Sequence, residues 1–278
     1  MSTALLENFD LLAASLGGVA KLRELILSLA VRGRLVPQDP SDEPASALLK
    51  RIRAEKDRLI KEGKVKRDKQ ASPLTQDDKP YDLPANWEWV RLSDLLPEFQ
   101  NGASSRGDEG GASTVVLRLA DIKNGRISLA APRAIPINGG DVSKYTLIGG
   151  DILIVRVNGS ADIVGQFIPV ESGVSAIYCD HFIRMRISRD WCRTGYLCLL
   201  GKTSLIRDRI NRLFITTAGQ KTVNQAHIGS LSVALPPLAE QSRIVAKVEE
   251  LMALCDRLEA EQGHAARVQG HWVDAALV

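Results

Sequence analysis

The C-terminal part of the chain constrains its fold most. Residues 234–262, ALPPLAEQSRIVAKVEELMALCDRLEAEQ, open on two prolines and then run with hardly a helix breaker, so they predict one long helix. Within it Ile244, Val248, Leu251, Cys255 and Leu258 recur at alternating spacings of four and three. This places them on one narrow stripe, the seam of a coiled-coil-like pair. So narrow an apolar seam has to be covered by another helix, from the same chain or from a second copy.

The N-terminal part offers candidates. Leu22, Leu25, Ile26 and Leu29 stand at helical spacing within residues 3–31, with Gly17-Gly18 as a break before them. The proline-rich strap RGRLVPQDPSDEPAS follows, with a Ser41/Asp42 cap signal ahead of Pro44. It leads into a second helix over about 44–62, which aligns Leu48, Leu49, Ile52, Leu59 and Ile60 and ends at Gly63. Residues 64–86 are rich in Lys, Asp, Gln, Ser and Pro and read as a linker.

A globule begins at WEWVRLSDL. From 113 to 234 short β-branched runs alternate with turn signals, interrupted by a helix at about 194–213. The expected fold class is α+β: a β-rich domain over 80–234, flanked by helices over 1–70 and 235–278 that form a coiled-coil-like arm. Leu22, Ile26, Leu29, Ile244, Val248, Leu251, Cys255 and Leu258 are the candidate oligomerisation residues.

The 278 residues carry a formal charge of only +3, too little to argue for nucleic acid by itself. Its distribution says more. Residues 50–69 hold ten Lys/Arg against four Asp/Glu, and residues 184–221 hold nine against two, while 118–183 balances at six against six. The second basic segment lies inside folded-looking sequence, where a patch can form. No apolar run reaches membrane-spanning length and no secretion signal is recognisable, so a cytoplasmic location without membrane contact is expected. The four cysteines are scattered, which suggests reduced thiols, with neither a zinc site nor a disulfide framework.

Catalytic motifs are missing. There is no phosphate loop, no HExxH and no GxSxG, and the one double proline, Pro236-Pro237, lies between leucines. The run Asp57, Glu62, Lys64 falls on a charged helix and reads as a solvated charge run. His181 follows Asp180 in an apolar strand pattern, where neighbours face opposite sides, so a core histidine is expected. No catalytic residue, metal or cofactor is assigned.

The segments LPPLAEQSRIVAKVEELMALCDRLEA at 235–260 and LILSLAVRGRLVPQDPSDEPASALLKRIRAEKDRLIKEGKVK at 25–66 carry a resemblance. So, more loosely, do GDILIVRVNGSADIVG and TAGQKTVNQAHIGSLSVALPP. The chain resembles the specificity (S) subunits of type I restriction-modification systems. The resemblance implies a non-catalytic subunit that holds double-stranded DNA through target recognition domains separated by conserved helical spacers. It also implies methyltransferase (M) subunits as partners and, through them, a restriction (R) subunit. The family pattern has two recognition domains and two spacers; here one domain stands between one spacer segment on each side, which looks like half a subunit. Either a natural half self-associates or a longer chain has been cut. A symmetric dimer would demand an interrupted palindrome as target. The alternative class is a helical oligomerisation or adaptor protein whose β-rich domain binds another protein.

For DNA, Arg and Lys suit phosphates and guanine edges, and Asn and Gln suit adenine edges. The basic helical stretch offers Lys202, Arg207, Arg209 and Arg212, as phosphate contacts or as a solvated face. The loop TTAGQKTVNQ offers Thr217, Gly219, Gln220, Lys221 and Asn224. Asn158 and Arg156 in RVNGS are further candidates, although Asn-Gly is first a hairpin signal.

Overall fold

The computed structural model describes residues 12, 15, 17–65, 73–104 and 111–276, with Asp141 and 265–276 described by backbone alone. Most of the segment before the Gly17-Gly18 break, and the end of the basic run at 66–69, lie outside the described residues.

Two helices come first, α1 (Gly18–Val31) and α2 (Ala45–Lys61). The globule follows with β1 (Glu88–Arg91), β2 (Glu98–Asn101), β3 (Ala112–Leu117), β4 (Ile122–Lys123), β5 (Arg126–Ile127), β6 (Arg133–Ile137), α3 (Gly139–Tyr145), β7 (Ile152–Val155) and β8 (Val157–Asn158). It continues through β9 (Phe167–Pro169), β10 (Ile177–Tyr178), β11 (Phe182–Arg186), α4 (Thr194–Lys202), α5 (Ser204–Leu213), β12 (Ile215–Thr217), β13 (Gln220–Thr222), α6 (Gln225–Gly229) and β14 (Ser232–Leu235). The last element is α7, Leu238–Ala276.

The organising sheet has the order β2-β11-β7-β9, antiparallel throughout. Its strand β7 reads ILIV and is buried along its whole length, as a strand covered on both faces must be. Alternation then divides the hydrophobic interior in two. Ile152 and Ile154, with Ile183 and Met185 from β11, face a core shared with the helices. Leu153, Val155 and Phe182 face a second core, closed by the three-stranded sheet β10-β3-β6 through Leu117, Ile135 and Tyr178.

β1 pairs antiparallel with β14, from Glu88 opposite Leu235 to Arg91 opposite Ser232. The segments entering and leaving the globule therefore run side by side, and the helices attached to them meet. Arg23 of α1 donates to Asp256 (2.6 Å) and Glu259 (2.7 Å), while Gln38, after α1, donates to Glu240 (2.6 Å). The two helices are thus antiparallel. At 1.5 Å per residue α7 is about 58 Å long against about 21 Å for α1, so it forms a rod.

The apolar seam closes inside one chain. Leu22, Ile26, Ile244, Val248, Leu251 and Cys255 are buried in the helical core, with Leu29 and Leu258 packed against it. The candidate oligomerisation residues are thus packed within the chain, with α1 against the part of α7 that carries them. α4 lines α7 as well, closely enough that a Cβ on Gly195 would lie 3.0 Å from Val245.

Local differences from expectation have local causes. The anticipated Ser41/Asp42 cap of α2 is not made: Pro44 is the N-cap residue, Ser41 donates to Asp39, and Asp42 accepts from Arg243. The helix expected over 194–213 is two helices, because Thr203 takes an extended conformation (φ −72, ψ 145). Its hydroxyl donates to the Leu200 carbonyl at 2.7 Å and accepts from the Ile206 N–H at 3.4 Å, so it closes one helix and starts the next. Among the described residues no helix is long and apolar enough to cross a membrane.

Candidate nucleic-acid interface

The loop TTAGQKT folds as a β-ribbon. Thr217 pairs with Gln220 across Ala218 and Gly219, which both lie in the left-handed region (φ 48 and φ 78). That is the two-residue hairpin turn matching the natural twist of a strand pair. β13 pairs in turn with β8, Lys221 opposite Asn158. The three-stranded sheet β12-β13-β8 leaves Ile215 through Gln220 exposed to solvent.

Several expected residues are assembled here. Thr217, Gly219 and Gln220 form the exposed tip, and Lys221 and Asn158 lie at its base, half-buried. The Lys221 ammonium donates to the Gly159 carbonyl at 3.0 Å. Asn158 makes no two-residue hairpin: its Oδ1 accepts the Ser160 N–H at 2.9 Å, an Asx turn that redirects the chain toward β9. Asn224 is exposed but acts as the cap of α6, its Oδ1 accepting the His227 N–H at 2.8 Å. Arg156 is half-buried and donates from Nη1 to the Asp180 carbonyl at 3.3 Å.

The basic helix does not present one face. Arg212 and Lys202 are exposed. Arg207 and Arg209, expected to meet DNA, turn inward. Arg207 donates from Nη2 to the Ala161 carbonyl at 2.7 Å. Arg209 donates from Nη1 to the backbone and hydroxyl oxygens of Ser232, and from Nη2 to the Asp78 carbonyl at 2.8 Å. Burial lowers the pKa of both guanidinium groups. Their role is to tie α5 to the loop after β8 and to the segment preceding β1.

The end of the four-stranded sheet beside this ribbon carries residues that charge counting and loop motifs did not single out. Asn101 ends β2 opposite Ile183, and Val155 ends β7 opposite Phe182, so these strand ends coincide. Gln225 donates to Asn101 Oδ1 at 3.1 Å, and Gln100 to the Asn101 carbonyl at 3.0 Å. The paired amides Gln100-Asn101, next to a glycine, were the sequence signal.

His181 corrects the strand reading. The Phe182 N–H donates to the Cys179 carbonyl at 3.0 Å, so Asp180 and His181 occupy a turn rather than a strand. Both side chains face outward, 46% and 47% exposed, with His181 Nδ1 3.2 Å from Asp180 Oδ1. Cys179, Asp180 and His181 offer ligand atoms within 4.8 Å of one another. Burial pushes the Cys179 thiol up to about 11, so with no metal beside it the group is a protonated thiol near neutral pH.

A cleft of about 280 Å³ opens beside this turn, lined by Val116, Arg118, Leu119, Arg133, Cys179 and His181, among others. The whole face offers hydroxyl, amide and guanidinium groups of the kinds that match phosphates and base edges.

No protein-family model matches the chain. It is 32% identical over 275 residues to the type I restriction enzyme EcoEI specificity subunit of Escherichia coli, covering 97% of this chain and 46% of that protein. It is 36% identical over 251 residues to the EcoAI specificity subunit of the same organism, covering 88% of this chain and 41% of that protein. A solved structure described as "Structural basis underlying complex assembly and conformational transition of the type I R-M system" contains a chain of similar fold. Its TM-score is 0.53 at 20% identity, over 83% of this chain and 55% of that one. This chain therefore spans about half the length of the relatives it matches. Over nearly its whole sequence, the chain is a relative of the type I restriction enzyme specificity subunits, corresponding to about half of one.

Proposed function

We propose that the chain is a non-catalytic, sequence-specific DNA-binding specificity subunit that recognises one half of a bipartite target. It directs a methyltransferase subunit there and, through it, a restriction subunit. The observation that carries this reading is the exposed ribbon β12-β13, whose polar tip projects from a globule mounted on the α1/α7 rod. A two-stranded ribbon fits the major groove of B-DNA, and Thr217 and Gln220 supply groups that can meet base edges. Lys202, Arg212 and Lys221 supply phosphate contacts, which bring salt-sensitive affinity without sequence choice. The similarity to specificity subunits over 97% of the chain supports the same role.

Two copies related by a two-fold axis would supply two recognition units in opposite orientation and read an interrupted palindrome. Because the apolar seam is closed within one chain, such pairing draws on other surface. Selection from a random-sequence duplex library at two salt concentrations, with the methyltransferase partner present, tests the function. A bipartite motif is the expected product, and failure to enrich any motif overturns the reading. Light scattering of the isolated protein tests the pairing, with a mass of two chains expected and a mass of one chain counting against it.

A further inference from the structure

We infer that the cleft beside the Asp180–His181 turn is a guanine-reading site and that Arg118 is the residue touching the base; this rests on the DNA-binding reading above. A guanidinium has two edges that can each form a pair of parallel hydrogen bonds. The side edge of Arg118 is occupied: Nε donates to Asp121 Oδ2 at 3.1 Å and Nη2 to Asp121 Oδ1 at 3.0 Å. Asp121 is 5% exposed, and its Oδ2 also accepts the Arg118 backbone N–H at 2.8 Å, so the carboxylate is a fixed buttress.

The far edge remains. Among the described residues Nη1 donates to no protein group, and the second hydrogen of Nη2 has only the Ala131 carbonyl at 3.4 Å, the long limit of a hydrogen bond. The side chain is 36% exposed and lines the cleft. It thus presents a planar fork suited to guanine O6 and N7.

The buttress decides between a base and a phosphate. A phosphate contact draws on charge and can be made by a single donor as well as by a fork, so it depends less on a fixed plane than a pair of bonds to one base edge does. Asp121 cancels much of the charge of Arg118 but fixes the plane of its donors, which weakens the first function and serves the second. The orientation is set before DNA arrives, so less side-chain entropy is lost on binding. Arg133, exposed on the same cleft, has no such buttress among the described residues and suits a phosphate.

The cleft adjoins the ribbon. The Arg156 N–H donates to the His181 carbonyl at 2.7 Å, and two residues further Asn158 pairs with Lys221. One duplex can therefore lie against both.

The test uses the duplex selected by the wild-type chain. Each guanine of the motif is replaced in turn by 7-deazaguanine, which lacks the N7 acceptor. At one position the wild type is expected to bind roughly 10- to 100-fold more weakly, and Arg118→Ala to show no further loss there. Arg118→Lys, which keeps the charge but not the fork, should lose the same preference, with circular dichroism checking that both variants fold. The N7 measurement on the wild type needs no variant. A motif without guanine, no N7 sensitivity at any guanine, or an undiminished penalty in Arg118→Ala overturns the inference while leaving DNA binding intact. If the wild type selects no motif, the DNA reading fails and this inference falls with it.

Discussion

Trp87 donates its indole N–H to the carboxylate of Glu240 at 2.9 Å, and this bond joins the residue before the first strand of the globule to the first turn of the rod. Glu240 is fully buried, and its other oxygen accepts from Gln38 at 2.6 Å. Burial raises its carboxyl pKa above the ordinary 4.5, against the lowering effect of these two donors. A raised folded-state pKa means that the protonated form favours folding. Its contribution is full below about 4.5 and is lost as the pH rises through the raised value. Glu240→Gln should therefore lose less stability than the wild type between pH 4.5 and 7, as read from denaturation midpoints. Glu240→Ala should cost about 1–3 kcal/mol at either pH, because it strands a buried donor.

Two kinds of contact hold α1 to α7, and their magnitudes differ. Arg23 meets Asp256 and Glu259, whose side chains are 71% and 62% exposed. Exposed pairs of this kind contribute up to about 1 kcal/mol. Ile26 is fully buried in the seam, and truncating such a side chain costs about 2–5 kcal/mol. Ile26→Ala should thus lower the unfolding midpoint several times as much as Arg23→Ala, with the denaturant slope unchanged. The reverse order would mean that charge rather than packing fastens the arm.

The arm was legible in sequence because a heptad-like stripe has few alternatives: Ile244, Val248, Leu251 and Cys255 can share a face only on a helix. The stripe did not reveal which helix covers it, since that follows from the β1-β14 pairing, a contact between distant segments. The ribbon was legible in part. Its polar residues stood out, but Ala218 gives little warning of a left-handed turn. The inward turn of Arg207 and Arg209 was not legible because a charge run looks the same whether it meets water or backbone carbonyls, and the carbonyls of Ala161 and Asp78 come from remote loops. Arg118 went unnoticed because its surroundings are electrically balanced, and the meaning of the RLAD spacing emerges only when Asp121 is seen buried.

Ala218 sits at φ 48, a conformation that costs an L-residue about 1–2 kcal/mol relative to glycine or, in part, asparagine. Ala218→Gly should therefore slow amide exchange in β12 and β13, even though no side-chain contact is gained. Ala218→Val should accelerate it. Equal exchange in all three proteins would show that the turn is not formed in solution.

Arg209 and Arg212 lie on the same helix three residues apart, and they are expected to respond in opposite ways. Arg209 is held by Ser232 and Asp78, so Arg209→Ala leaves buried acceptors unpaired and should cost about 1–3 kcal/mol of stability. Where the variant is folded, its dependence of DNA affinity on salt should match the wild type. Arg212 and Lys202 are exposed, so replacing either by alanine should change stability by no more than about 0.5 kcal/mol. Each replacement should instead reduce the slope of log K against log salt by about 0.9, the release of one phosphate's counterion, without altering the selected motif. Unfolding midpoints and binding isotherms at four salt concentrations separate the two behaviours. A stable Arg209→Ala protein with a reduced slope would place Arg209 on the DNA and remove it from the framework.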